Sequence, residues 1–187
     1  MIKIITGALL TATLLATSSF AAGYGNKGTS ISTSSTSSAL TQEQKDMLLF
    51  IYQEEKVARD VYITLGNYFP AQTIYKNIQR SEQKHMDSAQ GLCENYGIDI
   101  SNVDETELGI FVIPVLQELY DTLVVEGSKS EPSGLRVGKL IEIMDIDDLE
   151  HAQVGMPADV VKVFENLKAG SYNHLDAFTS AISAYNI

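Results

Sequence analysis

The sequence has a single cysteine, Cys93, and no tryptophan among its 187 residues. One thiol excludes an intrachain disulfide framework. Basic residues are also scarce, because 13 Lys and Arg stand against 24 Asp and Glu, for a formal net charge of −11. No cluster of Lys or Arg stands out, so nucleic acid and anionic membrane surfaces are poor candidate partners. The acidic balance favours solubility and, more weakly, the handling of cations.

The chain also lacks an apolar run of the roughly 20 residues that a membrane-spanning helix needs. At its start, Lys3 precedes a shorter apolar run, and Ser19 and Ala21 lie three residues and one residue before a plausible cleavage point. This pattern predicts a cleavable signal peptide over 1–21, with an uncleaved membrane anchor as the alternative. The mature protein is then expected to be secreted or periplasmic, without membrane insertion.

Residues 22–40 are rich in Gly, Ser and Thr and carry almost no bulky side chains. Such a segment buries too little apolar surface to order itself, so it is predicted to be a flexible linker. The folded domain is therefore predicted to span 41–187, a length that supports one domain with a sizeable core.

Strand-like alternation does not persist anywhere in this domain, and helical spacing with helix-terminating residues does. The class predicted is all-α, with four long helices and one shorter helix. Capping residues, glycines and prolines place these helices at about 41–66, 71–95, 114–127, 133–152 and from 157 to the chain end.

Short turns join the first two long helices and the last two, so each pair is expected to be an antiparallel hairpin. About 35 residues separate the hairpins, enough for a long crossover that carries the shorter helix. One long crossover between two hairpins is the ferritin-like form of the four-helix bundle.

Polar residues interrupt the apolar stripes of these helices where a core position is expected. Glu55 interrupts the first stripe, Glu82 and His85 interrupt the second, and Ser171 and His174 interrupt the last. A buried charge normally has a partner or a metal, because burying it alone costs several kcal/mol. Stripes that converge in this way predict a metal site inside the bundle.

The remaining long helix offers Glu142 and Asp145, three residues apart on one face. Two interpretations stay open for this pair. A neighbouring apolar row that includes Ile141 and Met144 would turn both carboxylates to solvent. An alternative row that includes Leu135 and Leu149 would turn them to the core as metal ligands.

Several of these residues form motifs that resemble those of rubrerythrins. Glu55, Ala58, Arg59 and Tyr62 match the first-helix pattern Glu-x-x-Ala-Arg-x-x-Tyr. Glu82-x-x-His85 is similar to the second-helix motif, Glu142-x-x-Asp145 to the third, and His174 to the fourth-helix histidine. More closely, 41–187 resembles a family of secreted bacterial and archaeal ferritin-like domains of unassigned function, through the strings EEKVARDVY, RSEQKHMD, LQELYDTLV and NLKAGSYNHLDAF.

The chain departs from the rubrerythrin pattern at two positions. Ser171 stands where the fourth-helix glutamate ligand is expected, and Asp145 is one methylene shorter than the expected glutamate. Cysteine pairs for a rubredoxin-type iron centre are also missing. The resemblance implies a site of Glu55, Glu82, His85, Glu142, Asp145 and His174 that holds one or two ions.

Two further residues are predicted to support this site. Arg59 lies one turn after Glu55 and is expected to hold its carboxylate by a charge-assisted contact. An ordinary surface ion pair is the alternative for Arg59. Tyr62 lies two turns after Glu55 and is expected to hydrogen-bond a ligand or a metal-bound oxygen.

The function expected is iron or manganese binding, with ferroxidase or peroxidase-type chemistry toward dioxygen or peroxide. The alternative is a non-enzymatic helical binding module in which Ser171 marks a degenerate site. Fold-level analogy does not choose between them. A homodimer is plausible for a bundle of this size.

Overall fold

A computed structural model of the protein describes residues 39–185. Five helices and no strand occupy this part of the chain, which confirms the all-helical class. The helices are α1 (Gln42–Tyr68), α2 (Thr73–Asn95), α3 (Pro114–Gly127), α4 (Glu131–Ala152) and α5 (Ala158–Ala184).

The helix ends follow the local signals of the sequence. Thr41 caps α1 in a capping box, because its side chain accepts from Gln44 N–H at 3.2 Å while its own N–H donates to Gln44 Oε1 at 2.9 Å. Pro114 occupies the first turn of α3. Gly97, just after α2, has a φ of 63°, which favours glycine.

Three boundaries differ from the prediction by two residues. Helix α1 continues past Gly66 to Tyr68, and α2 begins at Thr73 rather than at 71. Helix α4 begins at Glu131, because the Ser130 side chain caps it by accepting from Ser133 N–H at 3.2 Å. The cap at Ser130 therefore places the start of α4 two residues before the predicted start at Ser133.

Four of the helices make a closed ring of contacts. Helix α1 packs on α2, α2 on α5, α5 on α4, and α4 on α1. Helix α3 packs outside this ring, on α1 and α4. The arrangement is consistent with a four-helix bundle whose crossover carries α3.

The core has three layers along the helix axes. An apolar layer at one end, the Tyr62 cluster, includes Leu65, Tyr75, Leu135 and Phe178. A second apolar layer at the other end, the Phe164 cluster, includes Leu48, Met86, Leu149 and Leu167. Between them lies a layer of buried polar side chains, with Glu55, Glu82, His85, Glu142, Asp145, Ser171 and His174.

Helix α1 is buried on a second face as well, beneath the crossover. On this face, Lys56 Nζ donates to Asp60 Oδ2 at 2.6 Å and to the Glu107 carbonyl at 2.8 Å. Asp60 Oδ2 also accepts from Gly109 N–H at 2.9 Å, and Gln53 Oε1 accepts from Val112 N–H at 3.0 Å. Side chains of α1 thus satisfy backbone groups of the crossover that no regular element pairs.

The predicted signal peptide, 1–21, lies outside the described residues, as does most of the predicted linker. Leu40, assigned to the linker, is only 8 % exposed and packs in the Phe164 cluster, so the ordered domain begins before Thr41. Among the described residues, no helix combines the length and the apolar character that a membrane span requires.

Candidate metal centre

Each helix of the ring contributes to the polar layer. Helix α1 supplies Glu55, α2 supplies Glu82 and His85, α4 supplies Glu142, and α5 supplies His174. The three carboxylates are 1–2 % exposed and the two imidazoles 8 % exposed. The interrupted stripes therefore do converge, and the interpretation that turned Glu142 to solvent is wrong.

Two groups in this layer have the geometry of metal-ligand triads. The first is Glu55, Glu82 and His85, whose candidate ligand atoms all lie within 4.8 Å of one another. Within it, His85 Nδ1 lies 2.9 Å from Glu82 Oε2 and 3.3 Å from Glu55 Oε2. Both carboxylates thus face the same ring nitrogen from different helices.

The second triad is Glu82, Glu142 and His174, with ligand atoms within the same 4.8 Å limit. His174 Nδ1 lies 2.8 Å from Glu82 Oε1 and 3.4 Å from Glu142 Oε2. Glu82 belongs to both triads, with one carboxylate oxygen toward each histidine. The two imidazole rings are 5.5 Å apart between centroids.

Three atoms of the triads are buried without a hydrogen-bond partner among the described residues. They are Glu55 Oε1, Glu82 Oε1 and His174 Nδ1. The last two lie only 2.8 Å apart, yet they lack hydrogen-bond geometry. Buried polar atoms are normally satisfied, so three orphans in one place fit a bound cation. Mixed carboxylate and imidazole donors suit iron, manganese or zinc.

The electrostatics of the layer centre on Glu82. Burial alone would raise the pKa of Glu82, but contacts with His174 and His85 lower it to about 2. Burial lowers the imidazole pKa values, and the facing carboxylates outweigh it, raising the pKa of His85 to about 11 and that of His174 to about 9. Without a metal, both histidines are therefore protonated at pH 7, and Glu82 balances their charge together with the partly ionised Glu55 and Glu142.

The outer carboxylates behave differently. Burial raises the pKa of Glu55 to about 7 against the opposing effect of His85. Burial likewise raises the pKa of Glu142 to about 7 against the opposing effect of His174. With a pKa of about 7, each group is about half protonated at neutral pH, and a bound divalent cation would displace that proton.

Tyr62 lies where its sequence position predicted, in contact with a candidate ligand. It is fully buried, and its hydroxyl donates to Glu142 Oε1 at 2.5 Å. Its ring packs on Phe178, with centroids 5.3 Å apart. The contact leaves Glu142 Oε2 to face His174, which fixes how this carboxylate is presented.

Asp145 is close to the triads and belongs to neither. Its Oδ2 accepts from the Ser171 hydroxyl at 2.5 Å, so the short serine opposes the short carboxylate. Ser171 is fully buried, and its Oγ also lies 3.1 Å from the Leu167 carbonyl oxygen. The two positions that depart from the rubrerythrin pattern are therefore paired with each other in space.

The prediction for Arg59 was wrong. Its guanidinium does not hold Glu55 but donates to Asp60 Oδ1 at 2.8 Å, to Gln83 Oε1 at 2.6 Å and to the Glu105 carbonyl at 2.8 Å. Asp60, the next residue along the chain, has a fully buried carboxylate that needs positively charged partners. Arg59 therefore supports the crossover rather than the candidate metal centre.

Sequence reasoning missed one buried carboxylate beside the centre, Glu54, which is 6 % exposed. A second apolar row on α1 joins Phe50, Val57 and Val61, and Glu54 interrupts it as Glu55 interrupts the first. That interruption was the available signal. An interrupted second row indicates a buried carboxylate only on a helix that is buried on two sides, as α1 is.

A model of an uncharacterized protein domain, DUF2202, matches residues 44–186. The uncharacterized protein MJ0754 of Methanocaldococcus jannaschii is 44% identical over 147 residues, which cover 78% of each chain. A crystal structure of hypothetical protein MJ0754 from Methanococcus jannaschii DSM 2661 aligns with a TM-score of 0.75 and 42% identity, over 79% of this chain and 83% of that one. Neither name states a fold or a function, so the ferritin-like relation stays an inference from the motifs. This chain belongs to the DUF2202 domain family.

Proposed function

We propose that this chain is a ferritin-like metalloprotein that binds one or two iron or manganese ions between its four long helices. The observation that carries the proposal is the pair of histidine–carboxylate triads that share Glu82. The ring of contacts among α1, α2, α4 and α5 supports a four-helix bundle, and the α3 crossover supports the ferritin-like connection.

Bound iron or manganese would supply Lewis acidity and one-electron redox chemistry. The residues of the chain would hold and shield the ions. Glu55, Glu82 and Glu142 supply negative charge from three helices, and the two apolar layers exclude water from both ends. Tyr62 holds Glu142 in place through its hydroxyl.

Ferroxidase or peroxidase-type activity toward dioxygen or peroxide is the reaction class that these donors support. Carboxylates that bind asymmetrically can shift as the charge of a site changes. Ser171 and Asp145 leave one side of the site with fewer ligands than the rubrerythrin pattern provides, which leaves positions for water or oxidant.

Metal analysis of the purified full chain tests this proposal. After anaerobic loading with Fe(II) or Mn(II) and desalting, we expect about one or two ions per chain. His85→Asn should reduce this content, because it removes a ligand of the first triad. His151→Asn is the matched control, since the His151 side chain is 61 % exposed and lies outside both triads. Wild-type protein that retains neither metal would refute metal binding.

One observation favours the alternative of a non-enzymatic module with a degenerate site. The contacts of Glu82 with His85 and His174 neutralise buried charge without an ion. On that alternative, a chelator and added metal both leave the melting temperature unchanged. On our proposal, metal at 100 times its Kd should stabilise the fold by about 2.7 kcal/mol.

We further propose that the protein is exported through a signal peptide over 1–21. The small residues Ser19 and Ala21 before the cleavage point support this. Expression of the full chain in a bacterial host, followed by mass measurement of the periplasmic and cytoplasmic forms, tests it. A periplasmic product that begins at Ala22 is expected, and a product that keeps residues 1–21 in every fraction contradicts export.

A further inference from the structure

Carboxyl groups continue from the metal centre toward the edge of the bundle between α1 and α4. Glu54 is adjacent to Glu55 on α1, and Asp145 and Asp148 follow Glu142 at successive steps of three residues on α4. Exposure rises along this row, because Asp145 and Glu54 are 5 % and 6 % exposed while Asp148 is half-buried. The row therefore joins the interior to the surface.

A small cavity lies beside the inner part of this row. It has a volume of about 10 Å³, room for a single water molecule or ion. Glu54 and Asp145 are its carboxyl-bearing residues. Apolar residues of α1, α3 and α4 make up the rest of the wall, namely Val57, Ala58, Leu119, Leu123, Ile141 and Met144.

Glu54 has no positive partner to explain its burial. Its Oε2 is buried and unpartnered, and among residues 39–185 no Lys, Arg or His forms an ion pair with Glu54, Asp145 or Asp148. Neighbouring carboxyls without a base need either a shared proton or a cation.

The outer end of the row lies on an acidic stretch of α4. Asp147 and Glu150 flank Asp148 there, with side chains 69 % and 49 % exposed. Asp147 Oδ1 lies 3.6 Å from His151 Nδ1 and Glu150 Oε1 lies 3.7 Å from Lys168 Nζ. With Asp148 the stretch keeps a net negative charge, which raises the local concentration of cations. The surface at this point thus attracts divalent cations, which the buried carboxyl groups of Glu54 and Asp145 are suited to bind.

We propose that Asp148, Glu54 and Asp145 form the route by which divalent cations reach the core centre. Asp148 receives the ion at the surface, and Glu54 takes it up with its unpartnered oxygen. Asp145 delivers it to the layer of Glu55, Glu82 and Glu142. The ion exchanges water for carboxylate oxygen at each step, and carboxyl protons return to solvent. The route rests on the proposed metal-binding function.

Cobalt(II) is a suitable probe, because its visible absorption reports coordination and nitrogen–oxygen sites bind it more tightly than Fe(II) or Mn(II). Loading of the full chain is followed by stopped-flow absorbance, and release is followed after excess chelator is added. Glu54→Gln and Asp148→Asn should slow loading by about tenfold or more, since each removes one carrier on the route. Release should slow by the same factor, so Kd should change by less than about threefold, because a route alters rates rather than equilibrium.

Glu43→Gln and Glu94→Gln are the matched controls, because each removes one exposed negative charge at a position outside the row. Their loading rates should stay within about twofold of wild type at physiological salt. Circular dichroism establishes that each variant is folded before its rates are compared.

The possible outcomes separate the two proposals. A wild-type chain that takes up no cobalt(II), iron or manganese overturns the metal centre together with the route. Wild-type protein that loads, beside Glu54→Gln and Asp148→Asn variants that load equally fast, overturns the route alone. A weaker Kd produced by faster release also overturns the route, because it shows that Glu54 or Asp148 is a ligand of the bound ion.

Discussion

Gly170 on α5 gives a sharp test of the metal centre, because no ligand needs to be changed. A Cβ built on Gly170 would lie 2.5 Å from His85 Nε2 and 2.8 Å from His85 Cε1. Gly170→Ala therefore forces the imidazole to move by about 0.9 Å to reach ordinary van der Waals contact. Metal–nitrogen bonds tolerate deviations of only about 0.2 Å.

The displaced ring also loses its contacts in the metal-free protein. His85 Nδ1 lies 2.9 Å from Glu82 and 3.3 Å from Glu55, and a shift of this size disrupts both contacts. We expect a loss of about 1–3 kcal/mol from the unpaired groups. Replacing Gly by Ala within a helix stabilises the folded state by about 0.5–1 kcal/mol, which offsets part of this loss. Metal affinity should fall by about 10- to 100-fold, the usual effect of disturbing a ligand from outside the site.

Gly91→Ala on α2 is the matched control, since a Cβ at Gly91 meets nothing within 4 Å. Isothermal titration with Mn(II) and thermal denaturation in chelator measure the two effects separately. The control should keep wild-type affinity and melt slightly higher. The reasoning is refuted if Gly170→Ala behaves like Gly91→Ala, with unchanged affinity and a raised melting temperature.

Three further results are expected. In chelator, the melting temperature should fall between pH 6.5 and 9, because the folded pKa values of His174 and His85 are raised to about 9 and about 11, and the stability that each protonated imidazole contributes is lost as pH rises above the unfolded value of about 6.5. A rise over this range in differential scanning fluorimetry contradicts the assignment. Tyr62→Phe should cost about 1 kcal/mol in urea denaturation and weaken metal binding, since it removes the donor to Glu142; unchanged stability and affinity would show that the hydroxyl is dispensable. Lys56→Met should lower the free energy of unfolding by about 3 kcal/mol, because the buried carboxylate of Asp60 loses one of its positive partners. Lys129→Met is the control and should lower it by under about 1 kcal/mol, because the Lys129 side chain is 57 % exposed. Equal losses would contradict the role of Lys56 in holding the crossover.

The elements predictable from sequence are those set by local interactions. The capping box at Thr41 and the proline at Pro114 act within one turn of their own helices, so both helix starts were placed correctly. The interrupted stripes at Glu55, Glu82 and His174 were informative for a related reason. A polar residue at a core position is a conflict that only a tertiary partner resolves.

The second face of α1 was not predictable in the same way. Gln53, Lys56 and Asp60 are spaced like an ordinary solvent-facing stripe, and nothing local distinguishes them from one. They are buried because the crossover covers them, and its course depends on contacts between residues about fifty positions apart. Arg59 was misassigned for this reason, since its partners Gln83 and Glu105 arrive through tertiary packing.

Specific polar contacts consequently fix the position of helix α1 on two faces, one toward the bundle core and one toward the crossover. An apolar helix can slide or turn in its groove with modest loss, because one aliphatic side chain substitutes for another. A turn of one residue, about 100°, would instead take Glu55 from His85 and Lys56 from the crossover carbonyls at the same time. A misaligned packing of this helix therefore loses polar contacts on both faces. The apolar layers on either side can vary in detail while the helix keeps a single register.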